Sequence, residues 1–147
     1  MSFVCKKPKS GSWPSVTTTP KPVGYCSEGY HELEGHCYKL YDDQFKAWSD
    51  ARQVCLDMGH GFDLASVNSD KEYAFLMTLI GNQNSSFDFW IGLNDIGEPG
   101  QYFWSDKSPI FKLFWAPGEP NGSYDNVSAV SGLAAFIFIT KIAFLTE

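Results

Sequence analysis

The chain has 147 residues, a formal net charge of −6, 16% aromatic residues and 19% charged residues. That length holds one domain with a core, and the aromatic content excludes a disordered chain. The acidic balance argues against nucleic acid as a partner, since nucleic acid requires a basic face; no nucleophile motif or phosphate loop points to an enzyme.

Residues 1–7 contain a short strand-like piece, Phe3-Val4-Cys5. The opening Met1 to Lys7 has neither the apolar run nor the cleavage site of a signal peptide. The chain is therefore cytosolic or begins inside a longer secreted protein. Residues 8–23 read as a linker, with Pro8, Pro14, Pro20 and Pro22 among serines and the run Thr17-Thr18-Thr19. Such a composition stays extended and buries no core. A packed domain is expected from residue 24 to about residue 126. Tyr30 to Leu40 predicts a β-hairpin turning at Gly35. Phe45, Trp48, Ala51 and Cys55 recur at helical spacing and predict an amphipathic helix ending near Gly59. Ser69-Asp70-Lys71-Glu72 has the form of a capping box. It opens a second helix carrying Tyr73, Leu76 and Ile80, which stops at Gly81-Asn82. After a polar loop, Phe87 to Leu93 is a short apolar run expected as a buried strand. Asn94 to Gln101 is a Gly/Pro/acidic loop. Tyr102-Phe103-Trp104 and Phe111 to Trp115 are further aromatic strands or extended pieces. A hairpin, two helices, then strands and long loops argue an α+β fold. Long irregular loops such as those between Asn94 and Asn126 are usually functional.

The four cysteines are Cys5, Cys26, Cys37 and Cys55. None forms a C-x-x-C pair, which excludes zinc-ribbon and thioredoxin readings. The spacing of Cys26 and Cys37 suits a hairpin closed by a disulfide, worth about 3 kcal/mol for so short a loop. Sequons at Asn84-Ser85-Ser86, Asn121-Gly122-Ser123 and Asn126-Val127-Ser128 support an oxidising compartment. Together they favour a piece of a longer extracellular protein, secreted or the ectodomain of a membrane receptor. His31, His36 and His60 show no ligand spacing and are expected at the surface.

Trp90-Ile91-Gly92-Leu93, Phe103-Trp104-Ser105-Asp106, Trp115 and Gly118-Glu119-Pro120-Asn121, with the spaced cysteines and two helices, follow one order. From Tyr25 to Asn121 that order resembles the C-type lectin-like domain. Cys26 and Cys37 imply its long form. Phe3-Val4-Cys5-Lys6-Lys7-Pro8 resembles the end of a preceding domain of the same family. Residues 1–7 would then be a remnant of that domain, in a layout similar to tandem receptors of the macrophage mannose receptor group.

The resemblance implies calcium-dependent sugar binding. Glu119 offers a carboxylate and Asn121 an amide oxygen, the hard donors calcium takes. In the family the same two side chains hydrogen-bond a vicinal diol of the sugar, and Glu-Pro-Asn goes with mannose, fucose or N-acetylglucosamine glycans. Asp95 and Glu98 are expected as a solvated acidic loop. Trp104 and Trp115 are expected in the core, not as platforms for sugar. After Asn121 the family pattern breaks. Its further acidic ligand, Trp-Asn-Asp strand and last cysteines are missing, and residues 127–147 form an apolar tail foreign to the domain. Asp125 substitutes weakly as a ligand. The C-terminally incomplete domain is thus expected to hold calcium in an impaired site. Cys55 loses its family partner, and Cys5, returning through its linker, is a candidate replacement. With only 15 uncharged residues before Lys141, the tail is short for a membrane span of about 20. The competing readings are a calcium-independent, protein-binding lectin-like domain and a truncated product without binding activity.

Overall fold

The computed structural model describes residues 1–7, 26–81, 89–98 and 100–115, and the backbone of 134–137. In chain order the elements are β1 (Ser2–Lys7), β2 (His31–Leu33), β3 (His36–Tyr41), α1 (Trp48–Asp57), β4 (Asp63–Leu64), α2 (Asp70–Gly81), β5 (Phe89–Asn94), β6 (Phe103–Trp104) and β7 (Ala134–Ile137).

β2 and β3 form the hairpin expected around Gly35, with Leu33 opposite His36. Glu34 and Gly35 both adopt positive φ, 51° and 82°. This is the backbone of a two-residue turn whose twist matches the strands it joins. A disulfide bonds Cys26 to Cys37 on β3, with Cα atoms 5.5 Å apart.

β1 lies at the centre of the sheet. One edge runs antiparallel to β3, from Phe3 opposite Tyr41 to Lys7 opposite Cys37. The other edge is shared: Ser2 and Phe3 pair in parallel with Phe89 and Trp90 of β5, and Cys5 and Lys6 pair with Leu64 and Asp63 of β4. The strands therefore join in one mixed sheet, not several small antiparallel ones, because β1 ties the hairpin to β5. Both faces of β1 are covered, which explains its unbroken apolar run. Successive side chains alternate between faces. Val4 enters a core with Tyr38, Leu76, Ile80 and Ile91, while Phe3 and Cys5 enter a second with Ala51, Cys55 and Leu64. Cys5 is bonded to Cys55 of α1, Cα to Cα 5.4 Å. Residues 1–7 are thus built into the sheet of this domain.

α1 begins later than its apolar spacing suggests. Phe45 lies outside the helix and is 61% exposed. Ala47 precedes the helix and makes no side-chain capping bond. Two indoles hold the start instead: Trp48 Nε1 donates to the Ile91 carbonyl at 2.8 Å and Trp90 Nε1 to the Lys46 carbonyl at 2.9 Å. α2 begins on the expected cap, where the Glu72 amide donates to Ser69 Oγ at 3.1 Å. The Glu72 carboxylate reaches one residue further back than a simple capping box requires, accepting from the Asn68 amide at 2.8 Å.

β5 carries the apolar run and pairs with β6, Leu93 opposite Trp104. It also pairs with β7, with an irregularity between Trp90 and Asn94. β7 falls inside the apolar tail, so part of that tail is a strand of the sheet. Residues 111–115 form no strand.

Candidate functional site

β5 ends at Asn94, whose side-chain amide donates to the carbonyls of Gly92 at 3.0 Å and Phe103 at 3.2 Å. The loop that follows is organised around Asp95. Its Oδ2 accepts the Gly100 amide at 2.8 Å, and its carbonyl accepts the Glu98 amide at 3.1 Å. Asp95 is 4% exposed, which corrects the expectation that it is solvated. A short acidic side chain folded back on its own loop satisfies backbone donors that burial would otherwise leave unpaired. Glu98 is exposed.

Residues 102–115 are pinned across α2. Trp104 is buried in the core and its Nε1 donates to Asn68 Oδ1 at 3.0 Å. Phe114 stacks on Tyr73 with ring centroids 4.5 Å apart. Trp115 packs edge-on to Tyr102 at 4.9 Å and lies half-buried against the core. Trp104 is therefore a core residue, while Trp115 packs against the core and stays partly exposed. Lys112 pairs with Asp70 at 2.5 Å.

Glu119, Asn121 and Asp125, the candidate calcium and sugar residues, lie outside the described residues. So do the linker 8–23, the sequons at Asn84, Asn121 and Asn126, and the tail except for β7. Trp115 stands on Tyr102, beside the Phe103–Asn94 pair of the β5–β6 ladder. Ala134, at the start of β7, is also opposite Asn94. Among the described residues no group of three or more His, Cys, Asp or Glu could hold a metal ion.

Two polar clusters escaped the reading of the sequence. In the first, the Lys6 ammonium pairs with Glu72 and donates to Ser66 at its carbonyl (3.0 Å) and hydroxyl (3.2 Å). The Tyr38 hydroxyl donates to Glu72 Oε1 at 2.5 Å, and Ser66 Oγ donates to Asp106 Oδ2 at 2.6 Å. Lys6, Glu72, Tyr38 and Ser66 are all buried. Burial first, and then the bond to Glu72, push the Tyr38 phenol far above its usual range, so it stays a donor. His36, half-buried, is held below the usual imidazole range, first by burial and then by Lys6. In the second cluster Arg52 grips Asp63 with two 3.0 Å bonds, and Asp63 Oδ1 also accepts Ser105 Oγ at 2.8 Å. The one local signal for the first cluster was the glutamate of the capping box.

The profile of the lectin C-type domain matches residues 44–133. The chain is similar to C-type lectin lectoxin-Lio1 of Erythrolamprus poecilogyrus, 36% identical over 96 residues, covering 65% of this chain and 58% of that protein. It is similar to C-type mannose receptor 2 of Homo sapiens, 31% identical over 134 residues, covering 86% of this chain and 8% of the receptor. Its structure is similar to the crystal structure of the cow C-type carbohydrate-recognition domain of CD23 in the presence of GlcNAc2Man3 oligosaccharide. The TM-score is 0.56 at 33% identity, over 65% of this chain and 69% of that one. The chain thus spans less than two thirds of the length of both curated relatives.

Proposed function

This chain belongs to the C-type lectin domain family, whose members are non-enzymatic carbohydrate-binding modules, and from that premise we propose that it binds mannose-type glycans with calcium held by Glu119 and Asn121. The observation that carries this reading is that the family match, residues 44–133, runs through Glu119-Pro120-Asn121. All the proposed donors are hard oxygens, which suits calcium. The named relatives support the ligand class: one is a mannose receptor, and the CD23 domain was crystallised with a mannose-containing oligosaccharide.

A calcium ion held there would supply a positive charge that attracts the hydroxyl oxygens of a sugar. The Glu119 carboxylate accepts a hydrogen bond from one hydroxyl, and the Asn121 amide donates to the other. Asp125 adds a further oxygen. Two or three protein donors against the six to eight oxygens calcium takes make the site weak, completed by water and sugar.

The setting is extracellular, as the two disulfides and three sequons support. The likeness to mannose receptor 2 covers 86% of the chain. The matched region is 8% of that receptor, which supports a module within a larger, tandem receptor. Among the described residues no helix is long and apolar enough to cross a membrane.

Chromatography on mannose-agarose tests the function. The chain is retained in millimolar calcium and released by EDTA, and Glu119→Gln with Asn121→Asp moves retention to galactose-agarose. Passage through both resins in calcium rejects the proposal and leaves the calcium-independent, protein-binding reading.

A further inference from the structure

We propose that the patch of the sheet formed by Lys7, Lys39 and the aromatic rings beneath them is a calcium-independent site for a sulfated glycan chain. Lys39 lies opposite Cys5, and Lys7 lies opposite Cys37. The two lysines therefore share one face and are diagonal neighbours on β1 and β3, with Cα atoms about 7–8 Å apart. Phe3 and Cys5 lie on the same face, where α1 covers them through Ala51 and Cys55. Lys7 and Lys39 are only half-buried.

Rings hold both ammonium groups in place. Lys7 Nζ lies 5.4 Å from the centroid of Phe62. Lys39 Nζ lies 5.4 Å from that of Tyr30 and 5.1 Å from that of Tyr41. Tyr30 and Phe62 are themselves in contact, with centroids 5.8 Å apart, so the two lysines stand on one continuous patch. A ring face steadies an exposed ammonium by about 0.5–1 kcal/mol without cancelling its charge. The N–H groups turned away from the ring stay open to an acceptor. Lys6, Lys71 and Lys112 differ, since each is held by a carboxylate. Glu32 borders the patch, on the same face opposite Cys37. A polyanion is therefore favoured along β1 and β3 and repelled over β2.

The charge of the whole chain selects the kind of polyanion. At −6 overall it repels a broad anionic surface such as a bilayer or a duplex nucleic acid. A single polysaccharide strand is narrow enough to reach the two lysines without pressing its charge against the rest of the molecule. Its sulfate esters stay ionised at every physiological pH, and each offers several acceptor oxygens to an ammonium. The two disulfides suit an extracellular setting, where sulfated polysaccharides are abundant. The patch uses no residue of the calcium reading and needs no metal, so it stands whether or not Glu119 and Asn121 bind sugar.

The test titrates the full-length chain with a heparin hexasaccharide by calorimetry, with EDTA present to silence any calcium site. Saturable binding is expected, severalfold tighter than that of the desulfated hexasaccharide. Lys7→Gln and Lys39→Gln are each expected to weaken it by about two- to fivefold, the range for one exposed ion pair, and their effects multiply in the double variant. Lys71→Gln with Lys112→Gln removes the same charge from exposed lysines elsewhere and is expected to leave the affinity unchanged. Absence of binding in EDTA overturns the proposal. Equal losses from the two double variants also overturn it, since net charge alone then explains the binding. Equal affinity for the desulfated sugar overturns the role of sulfate, and equal affinity for polyglutamate or for phosphatidylserine vesicles overturns the glycan as the ligand.

Discussion

Gly92 sits where three segments cross. Its amide donates to the Ala65 carbonyl at 2.9 Å, and its carbonyl accepts the Ser105 amide at 2.8 Å. A Cβ here would stand 2.6 Å from Ser105 Oγ and 2.9 Å from the Leu64 carbonyl oxygen. Ser105 Oγ is itself held by Asp63, so neither neighbour gives way at low cost. Gly92→Ala is expected to lower stability by about 1–3 kcal/mol, the usual range for overpacking a filled site. Urea unfolding checks this, and an unchanged midpoint contradicts it. The apolar character of Trp90 to Leu93 was visible from one end of the chain to the other. The crowding at Gly92 was not, because the atoms that create it belong to β4 and to Ser105. Asp95 shows the same limit: its acidity was legible, but its burial depends on a loop closing over it.

At the level of the element, α2 combines a local and a distant role in one side chain. The Ser69 cap and Glu72 could be read from four consecutive residues. The other partners of Glu72 are Lys6 and Tyr38, 66 and 34 positions away, and no local pattern announces them. Glu72→Ala leaves the Lys6 ammonium buried and unpaired, and a loss of about 3–5 kcal/mol is expected. Combining Lys6→Met with Glu72→Ala recovers part of that loss, because no lone charge then remains in the core. A double-mutant cycle by urea unfolding measures this, and strictly additive losses would falsify the coupling. α1 shows the opposite case. Trp48, Ala51 and Cys55 marked its buried face correctly. Phe45 extended the apolar spacing upstream, yet the helix starts only at Trp48, where the two indole–carbonyl bonds fix the entry of the chain.

Over the whole molecule the organising element is β1. It joins the hairpin to β5 and divides the two cores, and its disulfide closes a sequence separation of 50 residues. In the chain-entropy model a closure of that length is worth about 4 kcal/mol. The Cys5→Ala, Cys55→Ala double variant is therefore expected to unfold at markedly lower urea, and an unaltered midpoint argues against a structural role for the bond. The sequence by itself determined the α+β order, the hairpin turn at Gly35, the cap of α2 and the family likeness. Each of these is written in residues close together or in the order of motifs along one chain. Only the tertiary structure decided that residues 1–7 form a central strand, that Cys5 is the partner of Cys55, that Lys6 neutralises Glu72 and that part of the apolar tail pairs with β5. Strand pairing joins segments far apart in the chain. A strand's own residues specify that it must be covered on both faces, but the neighbour that covers it is selected by packing and buried charge once the whole chain has collapsed.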